Sequence, residues 1–359
     1  RSETEAAEDR KNPGKRIEKK YLTASQLRGA LSKTKLATKK PEEKPKKIDI
    51  LGLDACSMSM AELASELGDY VEFMVASQDD VPDQSFPYED ILRRLKDPAN
   101  ANDPSKASTM IPELYREAYR DYITDPRTGF RAFTLSVVDL GEDKMKVLRA
   151  ELKKLAGALL QLSSDPTRRH QIFEARKSTQ GFVFGLFVDI VDLCDKLDDS
   201  KIYDKDLTDA CAQVRQAVKA AVIENQVLRS DPVYSADKET PVGVKVEAVN
   251  GLSIYFPYRI PNETEQLQEL RKGSGPLPAK GSGALPAKER SLRIKELEQD
   301  LTKLRIFQET GWNDFIRKGW SSILASEVPT ELDEVYSGQQ CAQNLGSLHH
   351  HGRGMGRAA

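Results

Sequence analysis

The clearest pattern along the chain is a short apolar run that gives way at once to helical spacing. Ile48, Ile50, Leu51 and Leu53 form a cluster with β-branched members, and Met58, Leu63, Ala64 and Leu67 then recur at three- to four-residue intervals. The first predicts a buried strand and the second a helix over 58–70. Val71-Glu-Phe-Met-Val-Ala76 predicts a second buried strand, and residues 130–139 a third. Helical periodicity marks 21–31, with Thr23 or Ser25 placed to cap it, and then 89–95, 110–122, 143–162, 182–195 and 207–228. Residues 97–109 have the composition of a linker. Val244–Tyr258 is a hairpin signal, because Asn250-Gly251 between β-prone runs favours a tight type I′ turn. Strands alternating with helices predict an α/β sheet.

The polar stretches divide the chain. Residues 1–20 are charge-dense with Pro13 and Gly14, as in a mobile charged loop, and 39–47 is a Lys- and Pro-rich connector. Gly273-Ser-Gly-Pro-Leu-Pro-Ala-Lys280 is nearly duplicated by Gly281-Ser-Gly-Ala-Leu-Pro-Ala-Lys288, an octad too short and too rich in Gly and Pro for a solenoid unit, which reads as a linker. A charged amphipathic helix is expected over 287–307, followed by a segment holding both Trp residues, Trp312 and Trp320. The expected partition is 1–20 loop, 21–262 α/β domain, 263–290 linker, 291–336 helical arm and 337–359 disordered tail. The arm either packs back on the domain or binds a regulatory protein partner.

Composition changes this picture little. An apolar fraction of 39% and a charged fraction of 31% suit a soluble chain, and a net charge of −2 gives no electrostatic pull toward nucleic acid or an anionic membrane. No window approaches the 18 apolar residues of a membrane span. The first residues are neither Met-initiated nor signal-like, so the chain is expected to be part of a longer precursor. A cytoplasmic and a secreted location both stay open. Cys56, Cys194, Cys211 and Cys341 contain no CxxC pair, which excludes a zinc ribbon and argues against a disulfide framework. Cys194 and Cys211 lie in apolar helical contexts and are expected in the core. The three adjacent His of the tail, 349–351, lack the spacing of a built metal site.

Cys56 is different. It falls at the carboxyl end of the first strand and just before a helix, where open α/β sheets place ligands and where a helix N-terminus lowers a thiol's pKa. A nucleophile and a buried small hydrophobe fit that position about equally. Leu-Asp-Ala-Cys-Ser-Met-Ser-Met-Ala-Glu over 53–62 resembles the nucleophile segment of the clostripain family of cysteine peptidases, in the caspase-related clan. Gly251-Leu-Ser-Ile-Tyr-Phe-Pro257 resembles a second element, near the end of that family's catalytic fold, about 200 residues later and in the right order. Ser85-Phe-Pro-Tyr88 is similar to the family's Gly-Trp-Pro-Tyr but lacks the Gly and the Trp.

The resemblance implies a caspase-like α/β/α sandwich with a helical C-terminal extension. It implies an endopeptidase that cleaves peptide or protein substrates after Arg or Lys through a Cys56 thioester. Asp54 matches the acid at the base of the primary pocket, and Asp79, Asp80 and Asp83 are candidates for a second acid, with Asp79 and Asp80 aligning best. A desolvated basic side chain needs such a carboxylate partner. No cofactor is expected, although the loop acids alternatively suit a calcium ion of the kind some relatives use. The family's catalytic His lies upstream in a His-Gly motif, yet no His precedes Cys56, and His170 matches no family motif. The chain therefore resembles a Cys-bearing heavy chain whose partner is an upstream light chain carrying the His. Arg1, Arg10, Lys11, Lys15 and Arg16 make 1–20 a site for autoprocessing. The alternative is a non-catalytic scaffold or regulatory subunit in a larger assembly.

Overall fold

The computed structural model describes residues 22–34, 46–82, 85–124, 132–182, 185–229, 233–234, 241–242, 248–257 and 299–327. The stretch 1–20, Asp83, Cys341, His349–His351, the octad repeat and residues 244–247 of the expected hairpin lie outside the described residues.

Helix α1 (Ala24–Leu31) starts from a reciprocal cap in which the Thr23 hydroxyl accepts the Gln26 N–H and the Gln26 side chain accepts the Thr23 N–H. Strand β1 (Ile48–Gly52) leads to α2 (Ala61–Leu67) and β2 (Val71–Ala76). Then come α3 (Tyr88–Arg94), α4 (Pro98–Ala101), α5 (Pro104–Thr124) and β3 (Ala132–Asp139). The chain continues through α6 (Glu142–Leu162), α7 (Pro166–Ser178), β4 (Gly181–Phe182), β5 (Phe187–Asp189), α8 (Ile190–Asp199), α9 (Lys205–Ala221) and β6 (Val222–Arg229). Strands β7 (Val233–Tyr234), β8 (Pro241–Val242) and β9 (Ser253–Tyr255) precede α10 (Arg305–Thr310), a widened π turn over Phe315–Trp320 and α11 (Ser321–Glu327).

The main sheet has the order β1-β2-β3-β6, with β1 and β2 parallel and the other neighbours antiparallel. Its side chains alternate between two cores, as the strand period of two requires. Phe73, Val75, Phe133, Leu135 and Val137 meet Ile91 of α3 and Ile111, Tyr115 and Ile123 of α5. Met74, Ala76 and Val138 face a larger core built from α2, α6, α8, α9 and the C-terminal helices. Helices therefore cover both faces, which gives the expected α/β/α layering.

Several local expectations are corrected. Helix α2 is shorter than 58–70, because Met60 is extended and the chain turns only at Ala61. Residues 182–195 are not one helix. Phe182 and Phe187 lie in paired strands, and α8 begins after Asp189, whose carboxylate accepts the N–H groups of Val191 and Asp192. Residues 207–228 are a helix only to Ala221, since the β-branched Val222 and Ile223 open β6, which pairs along β3. The expected linker 97–109 holds α4, capped by Asp97, and the first turns of α5, which runs through Pro112. Within the expected helix 287–307 the described part breaks at the extended Leu304, so that α10 starts at Arg305.

The segment containing both Trp residues packs into the larger core. Trp312 Nε1–H donates to the Tyr255 carbonyl and Trp320 Nε1–H to that of Pro257, each at 2.7 Å. Both rings are fully buried and meet Phe256 edge to face. Cys194 and Cys211 are likewise buried, each beside the other. No helix among the described residues is long and apolar enough to cross a membrane.

Candidate active site

Because β1 and β2 are parallel neighbours, the loops that follow them leave the sheet at the same edge. Leu53 N–H continues the ladder to Val75 O at 2.9 Å, and the chain then departs as Asp54-Ala55-Cys56. Ser57 adopts a left-handed φ of 58° and returns the chain beside the second loop. Its N–H donates to Asp79 O at 3.0 Å, and Ser59 N–H donates to Ser77 O at 2.8 Å. The turn leaves Cys56 exposed.

The Cys56 thiol lies against the second loop. Val81 N–H donates to Sγ at 3.4 Å. Partial burial pushes the thiol up to about 11, and the charges of Asp80 and Asp79 push in the same direction, against the lowering effect of that N–H. The expected lowering by a helix N-terminus is not realised, because α2 starts five residues later, at Ala61, and its first turn carries Glu62. Burial raises the Asp79 carboxyl to about 6 and also raises that of Asp80, which the thiol's hydrogen bond lowers in return. The structure thus brings Cys56, Asp79 and Asp80 together.

Asp54 has a different neighbourhood. Its Oδ2 accepts the Phe86 N–H at 3.1 Å and the Tyr88 O–H at 2.9 Å. Gly52 makes this possible, since a Cβ there would approach the Phe86 ring to 3.1 Å. Ser85, which stands where the family carries Gly, holds a left-handed φ of 68°. The Tyr119 hydroxyl donates to the Ser85 carbonyl and fixes this turn from below. The loop keeps a glycine-like conformation without the glycine.

Behind the two loops lies a buried polar network that sequence reasoning missed. Gln78 Nε2–H donates to Asp189 Oδ2 at 3.1 Å, and Gln78 Oε1 accepts the Gly251 N–H at 2.6 Å. Asp189 also accepts the Asn250 N–H and its side-chain amide, at 2.7 and 2.9 Å. The hydroxyls of Ser59 and Ser136 both donate to Gly251 O, at 2.6 and 2.7 Å. Gly251 is needed twice over, because its φ is 89° and a Cβ would come within 2.7 Å of Val222 Cγ1. The Asn-Gly pair was legible as a turn, but its described strand partner is β5, through β9.

His170 donates to or accepts from Glu327 through Nδ1 at 2.7 Å and sits on α7, bound to the C-terminal helix. Among the described residues no three His, Cys, Asp or Glu side chains converge as metal ligands. Asp83 is not among them.

The sequence matches the clostripain family, peptidase family C11, over residues 15–318, and the chain belongs to that family. Among solved structures it is similar to an inactive zymogen C11 protease from Parabacteroides distasonis, at 17% identity and a TM-score of 0.46 over 80% of this chain and 62% of that one. It is similar also to a clostripain from Bacteroides thetaiotaomicron in complex with the peptide inhibitor BTN-VLTK-AOMK, at 20% identity and a TM-score of 0.44 over 71% and 94%. A B. fragilis cysteine protease matches at 16% identity and a TM-score of 0.46 over 83% and 97%. The chain spans 62% of the length of the zymogen. No protein of curated function matches it.

Proposed function

We propose that this chain is the nucleophile-bearing part of a cysteine endopeptidase that cuts after Arg or Lys. The observation that carries the reading is the shared edge of β1 and β2, where Cys56 stands exposed with Val81 N–H on its sulfur. In the proposed reaction the Cys56 thiolate attacks the scissile carbonyl carbon. The C–N bond breaks as the leaving amine takes a proton from a His, and water then hydrolyses the thioester and restores the thiol. Asp54, with Asp79 or Asp80, would pair with the substrate's basic side chain. Backbone N–H groups, that of Cys56 among them, would hold the oxyanion.

The His would come from an upstream light chain or segment, since His170 is engaged with Glu327. A thiol held at about 11 is almost entirely protonated at neutral pH, so activity depends on that partner. Cleavage within 1–20 or binding of a regulatory protein would then be the activating step. A second reading, a scaffold that no longer turns over, is kept because the His among the described residues, His170, is paired with Glu327 and not with Cys56.

The test is a cleavage assay on the complete gene product with peptides varied at the residue before the cut. Cutting after Arg or Lys that vanishes in Cys56→Ala is the expected result. Cutting that persists in Cys56→Ala would remove Cys56 from the mechanism. No cutting by a product shown to contain an upstream His-Gly segment, even after proteolytic treatment, would favour the scaffold.

A further inference from the structure

The contact between Asp54 and Tyr88 bears on which basic residue the pocket takes. A carboxylate oxygen has two lone pairs, and those of Asp54 Oδ2 are engaged by the Phe86 N–H and the Tyr88 O–H. An entering side chain therefore finds at most one oxygen of this carboxylate, Oδ1. Arginine binds a carboxylate best as a planar fork across both oxygens, whereas a lysine ammonium acts as a point charge and needs only one. The two donors on Oδ2 differ in permanence. Phe86 is 5% exposed and its N–H belongs to a backbone pinned by the Tyr119–Ser85 contact, while the Tyr88 side chain is 54% exposed.

We infer that Tyr88 is a specificity-determining residue, whose hydroxyl occupies Asp54 Oδ2 and so biases the pocket toward lysine over arginine. This rests on the reading that Asp54 lies at the base of the primary pocket. Removing the hydroxyl while keeping the ring returns one lone pair to Oδ2 and opens the carboxylate to a guanidinium fork. The Tyr88 ring is retained in Tyr88→Phe, so the hydroxyl alone separates the two variants.

The test uses the complete gene product and two peptide substrates that differ only in Lys or Arg before the cut. Tyr88→Phe is expected to raise the Arg-to-Lys ratio of kcat/KM by about tenfold, the size of one hydrogen bond to a charged group, with the change in KM. The same comparison is made without turnover by titrating Cys56→Ala, with and without Tyr88→Phe, with peptides ending in lysine amide or arginine amide. A ratio that stays within twofold in both measurements overturns the inference, as does an equal change for the two peptides. Asp54→Asn distinguishes the deeper failure. If it leaves the binding of both peptides unchanged, the placement of Asp54 in the pocket is wrong, whatever Tyr88 does.

Discussion

Gln78 and Asp189 are 111 positions apart in sequence, yet the side-chain amide of one donates to the carboxylate of the other at 3.1 Å. Gln78 lies in the loop that follows β2, beside the nucleophile loop, and Asp189 caps the start of helix α8. Through Gly251 and Asn250 the two also hold the segment that resembles the family's second element. The edge that carries Cys56 is therefore braced from behind by buried hydrogen bonds.

The brace should be costly to break. Gln78→Ala leaves Asp189 short of a donor and Gly251 N–H without an acceptor, both buried, and is expected to lose about 2–4 kcal/mol of stability. Gly251→Ala adds a left-handed backbone penalty to a clash with Val222 and should lose at least as much. Urea denaturation of each variant measures the effect. A loss below about 0.5 kcal/mol in both would show that the network adds nothing to the fold.

Cys56 should alkylate slowly. A rise of about two pKa units cuts the thiolate fraction at pH 7 about 100-fold, and greater intrinsic nucleophilicity restores about tenfold, so iodoacetamide should react about tenfold slower than with a free thiol. The rate should climb through pH 9–11. Asp80→Asn removes a neighbouring charge and should speed the reaction at pH 8. Mass-resolved alkylation kinetics at Cys56 provide the check, and a fast reaction at pH 7 would contradict the assigned surroundings.

Glu62 is fully buried on α2. Its Oε1 accepts the Tyr255 N–H at 2.7 Å, while Oε2 meets no hydrogen-bond partner among the described residues. Burial raises its carboxyl from 4.5 to about 7. Between those values the folded chain holds a proton that the unfolded chain has released, so this residue's contribution to stability falls as pH rises from 4.5 to 7. Glu62→Gln keeps the acceptor and abolishes the charge, and it should flatten that part of the curve. Denaturant midpoints at pH 5 and pH 7 in both proteins decide it.

Much of this was legible in the chain and some was not. The strands around Cys56 and the α/β layering follow from the short apolar runs 48–53 and 71–76, whose β-branched members favour strands. The helix expected over 207–228 failed because no Gly or Pro marks its end at Ala221, and the β-branched Val222 and Ile223 join the sheet only through pairing with β3. Gln78 and Asp189 looked like ordinary polar residues, since nothing local reveals a partner 111 positions away. The raised thiol was hidden for a related reason. It depends on how the second loop buries the sulfur, with Asp80 adding its charge, whereas the residues around Cys56 showed only the proximity of a helix.

The two tryptophans provide a fourth test. Trp320→Phe retains most of the ring packing but leaves the buried Pro257 carbonyl without its donor, which should cost about 1–3 kcal/mol. Trp312→Phe does the same at Tyr255. Thermal unfolding followed by near-ultraviolet circular dichroism reads both, and an unchanged midpoint would mean that those carbonyls find other donors.

Glu66, at the far end of α2, receives Arg28 from α1 on one oxygen and the backbone N–H of Arg305 on the other. A single carboxylate thus clasps a helix upstream of the nucleophile strand to one from the C-terminal region. A nick between Pro257 and residue 299 would sever the covalent path and leave this clasp and both indole contacts intact. The two pieces should then elute together from a sizing column and separate only in denaturant, so that a cut molecule would pass for an uncut one until it is unfolded.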